Sequence, residues 1–87
     1  MIADRQARIQ QALQQALKPT LCELVDESHL HIGHAGAQTG LSHYHLTISS
    51  SQLDTLNAIE QHRAIYQALG SLMQTDIHAL RITVVPL

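Results

Sequence analysis

Seven of the 87 residues are histidines, more than the five lysines and arginines together, and they fall into groups that imidazole chemistry can use. His29, His31 and His34 share the stretch SHLHIGHAGAQTG (28–40), His43 and His45 alternate in HYHLTIS (43–49), and His62 and His78 bracket QHRAIYQALGSLMQTDIHAL (61–80). Neutral imidazole is a ligand for zinc, iron and copper. An H-x-H-x-x-H loop can turn its rings toward one ion, and it can equally be a solvated polar loop. His43 and His45, two residues apart, share one face of a strand, where they either take a metal or simply line a half-exposed sheet. With ordinary pKa values near 6.5, the seven together change the net charge by several units between about pH 7.5 and 5.5, so any binding through them is pH-sensitive. The one cysteine, Cys22, excludes an internal disulfide and a self-contained four-cysteine metal site. It reads as a small apolar strand residue.

These side chains need elements to hold them. Ile2–Leu17 carries Ile2, Ile9, Leu13, Ala16 and Leu17 at helical spacing, with Arg5, Arg8, Gln10 and Gln14 between them as a solvated face, and Pro19 ends the run. Leu21–Glu27 reads as a strand, and Ser28–Gly40, with three glycines and no period, as a loop. His43–Ser49 alternates: Tyr44, Leu46 and Ile48 point to a core and His43, His45, Thr47 and Ser49 away from it. Ser49, Ser50, Ser51 and Asp54 offer N-caps before a long helix whose Leu56, Ile59, Tyr66, Leu69 and Met73 are expected on one buried side. Gly70 marks either an early helix end or a close approach to the sheet. Thr75 and Asp76 form a turn, and Arg81–Val85 is the last strand, which places His78 just ahead of it. The first two strands, one loop apart, pair antiparallel; the third, after a helical crossover, lies parallel to the second. The expectation is an α+β fold, one domain over residues 1–87, with helices on one face of a three-stranded mixed sheet.

Composition narrows the function. With no Phe or Trp and only Tyr44 and Tyr66, the chain lacks the stacked rings on which single-strand nucleic-acid binding leans. A formal charge of −2 lacks the basic bias of a protein held to phosphates by bulk electrostatics. Gly33-His34-Ala35-Gly36 matches the G-x-x-G of KH domains, but that motif joins two helices and here it joins two strands, so the match is a coincidence. No nucleophile and base stand with a supporting carboxylate at a recognisable spacing, and so small a core leaves little room for a deep pocket; an enzyme with a small-molecule substrate is not expected. The polar N-terminus and short apolar runs lead us to expect a soluble cytoplasmic protein with no membrane segment.

Gln61-His62-Arg63, Tyr66 and Ile77-His78-Ala79-Leu80, at this spacing, resemble the signature of the BolA-like family. Val25-Asp26-Glu27-Ser28 with the histidine-bearing loop after it, and Ser42-His43-Tyr44, extend the resemblance over nearly the whole chain. It implies an αββααβ, class II KH-like fold. It also implies partnership with a monothiol glutaredoxin through a shared [2Fe-2S] cluster, held by cysteine and glutathione thiolates on one side and imidazoles on the other, with no cofactor in the isolated chain. The ligands it implies are His78 and one loop histidine, His31 or His34. His62 and Arg63, with Arg81, are its candidate partner or nucleic-acid surface. The family's other role, a DNA-binding transcriptional regulator of stress response and morphology, is the alternative. Gln61 stands where a basic residue commonly precedes the His-Arg pair, and Tyr44 where phenylalanine is usual, and the first change weakens the DNA alternative.

Overall fold

The computed structural model describes residues 5–27 and 42–87. Ile2, His29, His31, His34, the Gly33–Gly36 motif and the expected loop lie outside them. Helix α1 (Arg5–Leu17) buries Ile9, Leu13 and Leu17, one residue per turn. Ala12, three residues after Ile9, packs beside that stripe, and the expected Ala16 is exposed. The helix stops at Lys18, whose φ of 46° is left-handed and whose amide donates to the Gln14 carbonyl at 3.2 Å, immediately before Pro19.

Strands β1 (Leu21–Asp26) and β2 (Ser42–Ser49) pair antiparallel with Leu24 opposite Leu46, and β3 (Ile77–Val84) joins the other side of β2 in parallel. The order β1-β2-β3 is the mixed sheet expected from the connections. Tyr44, Leu46 and Ile48 are all buried and form its central row, flanked by Leu24 on one side and Leu80, Ile82 and Val84 on the other. The helices cover this face and, with it, enclose one hydrophobic core, aliphatic but for Tyr44. Among the described residues no helix lies on the opposite, open face, and none is long and apolar enough to cross a membrane.

The crossover from β2 to β3 is made of three helices. Helix α2 (Ser51–Asp54) is a single turn that buries Leu53. Its cap, Ser50, accepts from the Gln52 amide at 3.2 Å and donates its hydroxyl to the Leu17 carbonyl at 2.6 Å, so that one side chain starts α2 and satisfies the end of α1. The serine run therefore caps this turn and not the long helix. Helix α3 (Ala58–Leu69) has its own capping box, Asn57 accepting from the Glu60 amide at 2.9 Å and Glu60 accepting from the Asn57 amide at 3.1 Å. Its buried residues are Ile65 and Leu69, with Ala64 and Ala68 packed against the core.

The expected face holds at Leu69, which is buried, and at Leu56 and Met73, which pack against the core, and is corrected at Ile59 and Tyr66. Ile59 is 65% exposed and Tyr66 42%, so they line the outer side of α3, while Leu56 and Met73 are half-buried just beyond its two ends. The small alanines at 64 and 68 let α3 approach the core closely along the Ala64-Ile65-Ala68-Leu69 side, which leaves Ile59 and Tyr66 pointing outward. Gly70 ends the helix early: its φ of 55° and ψ of −129° suit only glycine, and its amide donates to the Tyr66 carbonyl at 2.9 Å. Close approach is not its reason, since the nearest atom to a Cβ there would be 4.0 Å away. A single turn, α4 (Leu72–Thr75), then delivers Asp76 to the start of β3.

Candidate functional site

Strand β3 begins at Ile77, not at Arg81, so His78 lies within the strand and not ahead of it. The reason lies in the register. Ser42 is opposite Ile77, but the next pair is His43 with Ala79, so β3 carries one extra residue, and that residue is His78. A bulge of this kind breaks the two-residue alternation and re-aims a side chain. Here Ile77 is buried and Leu80 half-buried, while His78 and Ala79 between them are both exposed. The bulge thus turns His78 outward without pulling Ile77 or Leu80 from the core.

His43 leads the outward row of β2 and meets His78, with ring centroids 4.9 Å apart and planes at 52°. The two are unequal: His43 is only 8% exposed, whereas His78 is open to solvent. His45, next in the same row, turns instead to the Thr83 hydroxyl, 2.9 Å from its Nε2. The pair His43 makes is therefore with His78 across the strands and not with His45 along its own.

Two residues before His78 in the chain is a buried carboxylate. Asp76 is 7% exposed; it receives the Thr75 hydroxyl at 2.6 Å on one oxygen, and Arg8 and the Arg5 Nε, at 3.3 Å, on the other. Arg5 also donates to the Ser42 hydroxyl at 2.9 Å, and the Ser42 amide donates to the Asp76 carbonyl at 3.3 Å. The hydrogen bond from Thr75, then that from Arg8, holds the Asp76 carboxyl below its ordinary pKa against the opposing effect of burial, with the Arg8 and Arg5 charges adding to the shift. Arg5 and Arg8 are thus no solvated face of α1; they tie it to the beginning of β3. Two arginines one turn apart were the sequence signal for a shared anion, but nothing local pointed to Asp76 as their partner.

Among the described residues, the exposed donors of this corner are imidazole nitrogens, and no thiolate joins them. Cys22 stands opposite Ile48, toward the far end of β2, and burial pushes its thiol pKa up, away from a ligating thiolate. No group of three or more metal-binding side chains forms among the described residues. His31 and His34 lie outside those residues, in the segment joining Glu27 to Ser42. That segment starts beside His43, since the Glu27 amide donates to the His43 carbonyl at 2.7 Å. An imidazole pair without thiolates fits half of an iron–sulfur ligand set and requires the sulfur ligands to come from another molecule.

The other candidate residues lie elsewhere. His62 and Arg63 are exposed on α3, where the His62 ring meets the edge of Tyr66 at 6.5 Å. Arg81 is on the open sheet face, paired with Glu27 at 2.8 Å. Arg63 and Arg81 belong to different layers, and the structure does not gather them into one basic face.

The family model described as BolA-like protein matches residues 13–86. The chain is 32% identical over 84 residues to "Protein BOLA1, chloroplastic" of Arabidopsis thaliana, covering 93% of this chain and 52% of that one. It is 33% identical over 75 residues to the "DNA-binding transcriptional regulator BolA" of Escherichia coli, covering 86% and 69%. The solved BolA domain of SufE1 from Arabidopsis thaliana superposes with a TM-score of 0.82 at 30% identity, over 99% of this chain and 95% of that one. The chain spans about half the length of several curated relatives, the chloroplastic protein and the mouse BolA-like protein 1 among them. The mouse relative is named a BolA-like protein and the Escherichia coli one a transcriptional regulator. The matched residues, the mixed three-stranded sheet and its helical cover agree, and the chain belongs to the BolA-like family.

Proposed function

We propose that this protein is a non-enzymatic adaptor that binds a monothiol glutaredoxin in the cytoplasm and shares a [2Fe-2S] cluster with it, in cluster trafficking or in iron and redox sensing. The observation that supports this most is the bulge at His78, which presents one imidazole to solvent beside a second, in a corner that offers nitrogen donors and no thiolate. His78 is the donor from this chain, and His31 or His34 of the adjoining segment is its companion. The glutaredoxin cysteine and glutathione supply the sulfur ligands, and the isolated chain carries no cluster. When bound, the cluster supplies one-electron redox chemistry at a potential raised by imidazole ligation. This chain's part is to hold His78 outward while the core behind it stays closed.

The test is anaerobic reconstitution with a monothiol glutaredoxin, glutathione, iron and sulfide, followed by visible absorption and circular dichroism. A heterodimer whose cluster spectrum changes or disappears in His78→Ala supports the adaptor, and His31→Ala and His34→Ala then identify the second donor. A spectrum identical to that of the glutaredoxin homodimer with and without His78 sinks it.

A second reading, DNA-binding transcriptional regulator, is favoured by the name of the Escherichia coli relative. Against it stand the separation of Arg63 from Arg81 and the engagement of Arg5, Arg8 and Arg81 by carboxylates. Steep salt dependence of binding to duplex DNA is the result that would restore it.

A further inference from the structure

We propose that Asp76 is a positioning residue for the two histidines, setting the place of the His78 ring through the strand ends it clamps. The chain connectivity makes the case. Asp76 is two residues before His78, and Ser42 is immediately before His43. The Asp76 carboxylate is fixed by Thr75, Arg8 and Arg5, and Arg5 extends the same grip to the Ser42 hydroxyl at 2.9 Å. The backbone link from the Ser42 amide to the Asp76 carbonyl closes the circuit at 3.3 Å. The last regular pair before the bulge, Ser42 opposite Ile77, is therefore held from the α1 side by side chains and from within the sheet by backbone.

A bulge is otherwise free to slide: the extra residue of β3 can be taken up one position earlier or later, and either shift rotates His78 away from His43. Fixing Ser42 against Asp76 assigns the extra residue to position 78. In this way the N-terminal turn of α1, through Arg5 and Arg8, sets the place of a ring on the opposite face of the sheet.

The ring part of the test stands by itself, whereas the cluster part rests on the adaptor reading. In the isolated protein, Asp76→Asn keeps a side chain of the same shape but loses the charge that gathers the arginines. Asn57→Ala, at the remote cap of α3, is the control for loss of stability alone. Both are studied by NMR under conditions where denaturant titration shows them folded. The expected result is loss of the inter-ring nuclear Overhauser effect between His43 and His78, with shifts of Ile77–Ala79 amides, in Asp76→Asn and not in Asn57→Ala. If Asp76→Asn does not fold, Arg5→Gln, which leaves the Arg8 pair in place, carries the same test. A folded variant that keeps the inter-ring effect, or a control that loses it too, overturns the proposal. In reconstitution with the glutaredoxin, Asp76→Asn is expected to change the cluster's circular dichroism and the control to leave it as it is. An unchanged spectrum would confine Asp76 to the free protein and overturn its role in ligation, and absence of any cluster with the unmodified chain would count against the adaptor reading and not against the ring result.

Discussion

His43 and His78 meet across two parallel strands with their ring centroids 4.9 Å apart, one ring buried and the other in solvent. That inequality separates their expected mutants. His78→Ala removes an exposed side chain and should change the unfolding free energy by no more than about 0.5 kcal/mol. His43→Ala empties a buried position and should cost about 0.5–3 kcal/mol. Urea denaturation of the two variants decides the matter; equal losses would mean that the rings share one environment.

The outer face of α3 gives a second pair. Ile65 is completely buried, and Ile65→Ala should cost about 2–5 kcal/mol, enough to leave so small a domain barely folded. Ile59, 65% exposed, should lose about 0.5 kcal/mol or less as Ile59→Ala. The opposite order would restore the helix face expected from the spacing of Leu56, Ile59, Tyr66, Leu69 and Met73.

That spacing shows where the sequence was legible and where it was not. The alternation of Tyr44, Leu46 and Ile48 was unambiguous because apolar and polar residues strictly took turns, and it fixed β2 and its buried face. Along α3, two apolar sets, Ile59 with Tyr66 and Ile65 with Leu69, fit a helical period almost equally well. Only the packing of Ala64 and Ala68 against the core chooses between them, and alanine carries little signal. The Asn57-to-Glu60 capping box was readable and was overshadowed by the serine run. The start of β3 was hidden for a different reason: the bulge at His78 puts two outward residues in succession, which no strand pattern contains. The Asp76 cluster joins residues from the two ends of the chain, and no local rule reports such a pairing.

The Asp76 carboxylate predicts a pH dependence of stability. Its folded-state pKa lies below the ordinary value of 3.8 because Thr75 and Arg8, with Arg5, favour the charged form. The folded state therefore resists protonation more than the unfolded chain does. The contribution is fully present above the ordinary value and is lost as the pH falls through the lowered one. Unfolding free energy measured at pH 6, 4 and 3 should fall in the acid range, and Asp76→Asn should flatten that part of the curve. A variant with the same acid slope as the parent would show that other carboxylates carry it.

Gly70 is strained for any other residue. With φ at 55° and ψ at −129°, Gly70→Ala should cost about 1–3 kcal/mol, although space for the added methyl group exists. Had the glycine been required for close packing, Gly70→Asn would be worse still than alanine; because the constraint is the dihedral angle, asparagine should be no worse. Thermal unfolding of the two variants separates the explanations.

The chain has five lysines and arginines, and three of them, Arg5, Arg8 and Arg81, pair with Asp76 or Glu27. Lys18, just past the end of α1, and Arg63, on α3, are the exposed cations with no carboxylate partner among the described residues. If each phosphate neutralised contributes about 0.9 to the slope of log K against log salt, binding through these two gives a slope of about −2 or shallower. Arg63→Ala should then reduce it by about 1. A measured slope of about −3 or steeper, unaffected by Arg63, would mean that the salt bridges to Asp76 and Glu27 open on DNA, and the regulator reading would displace the adaptor.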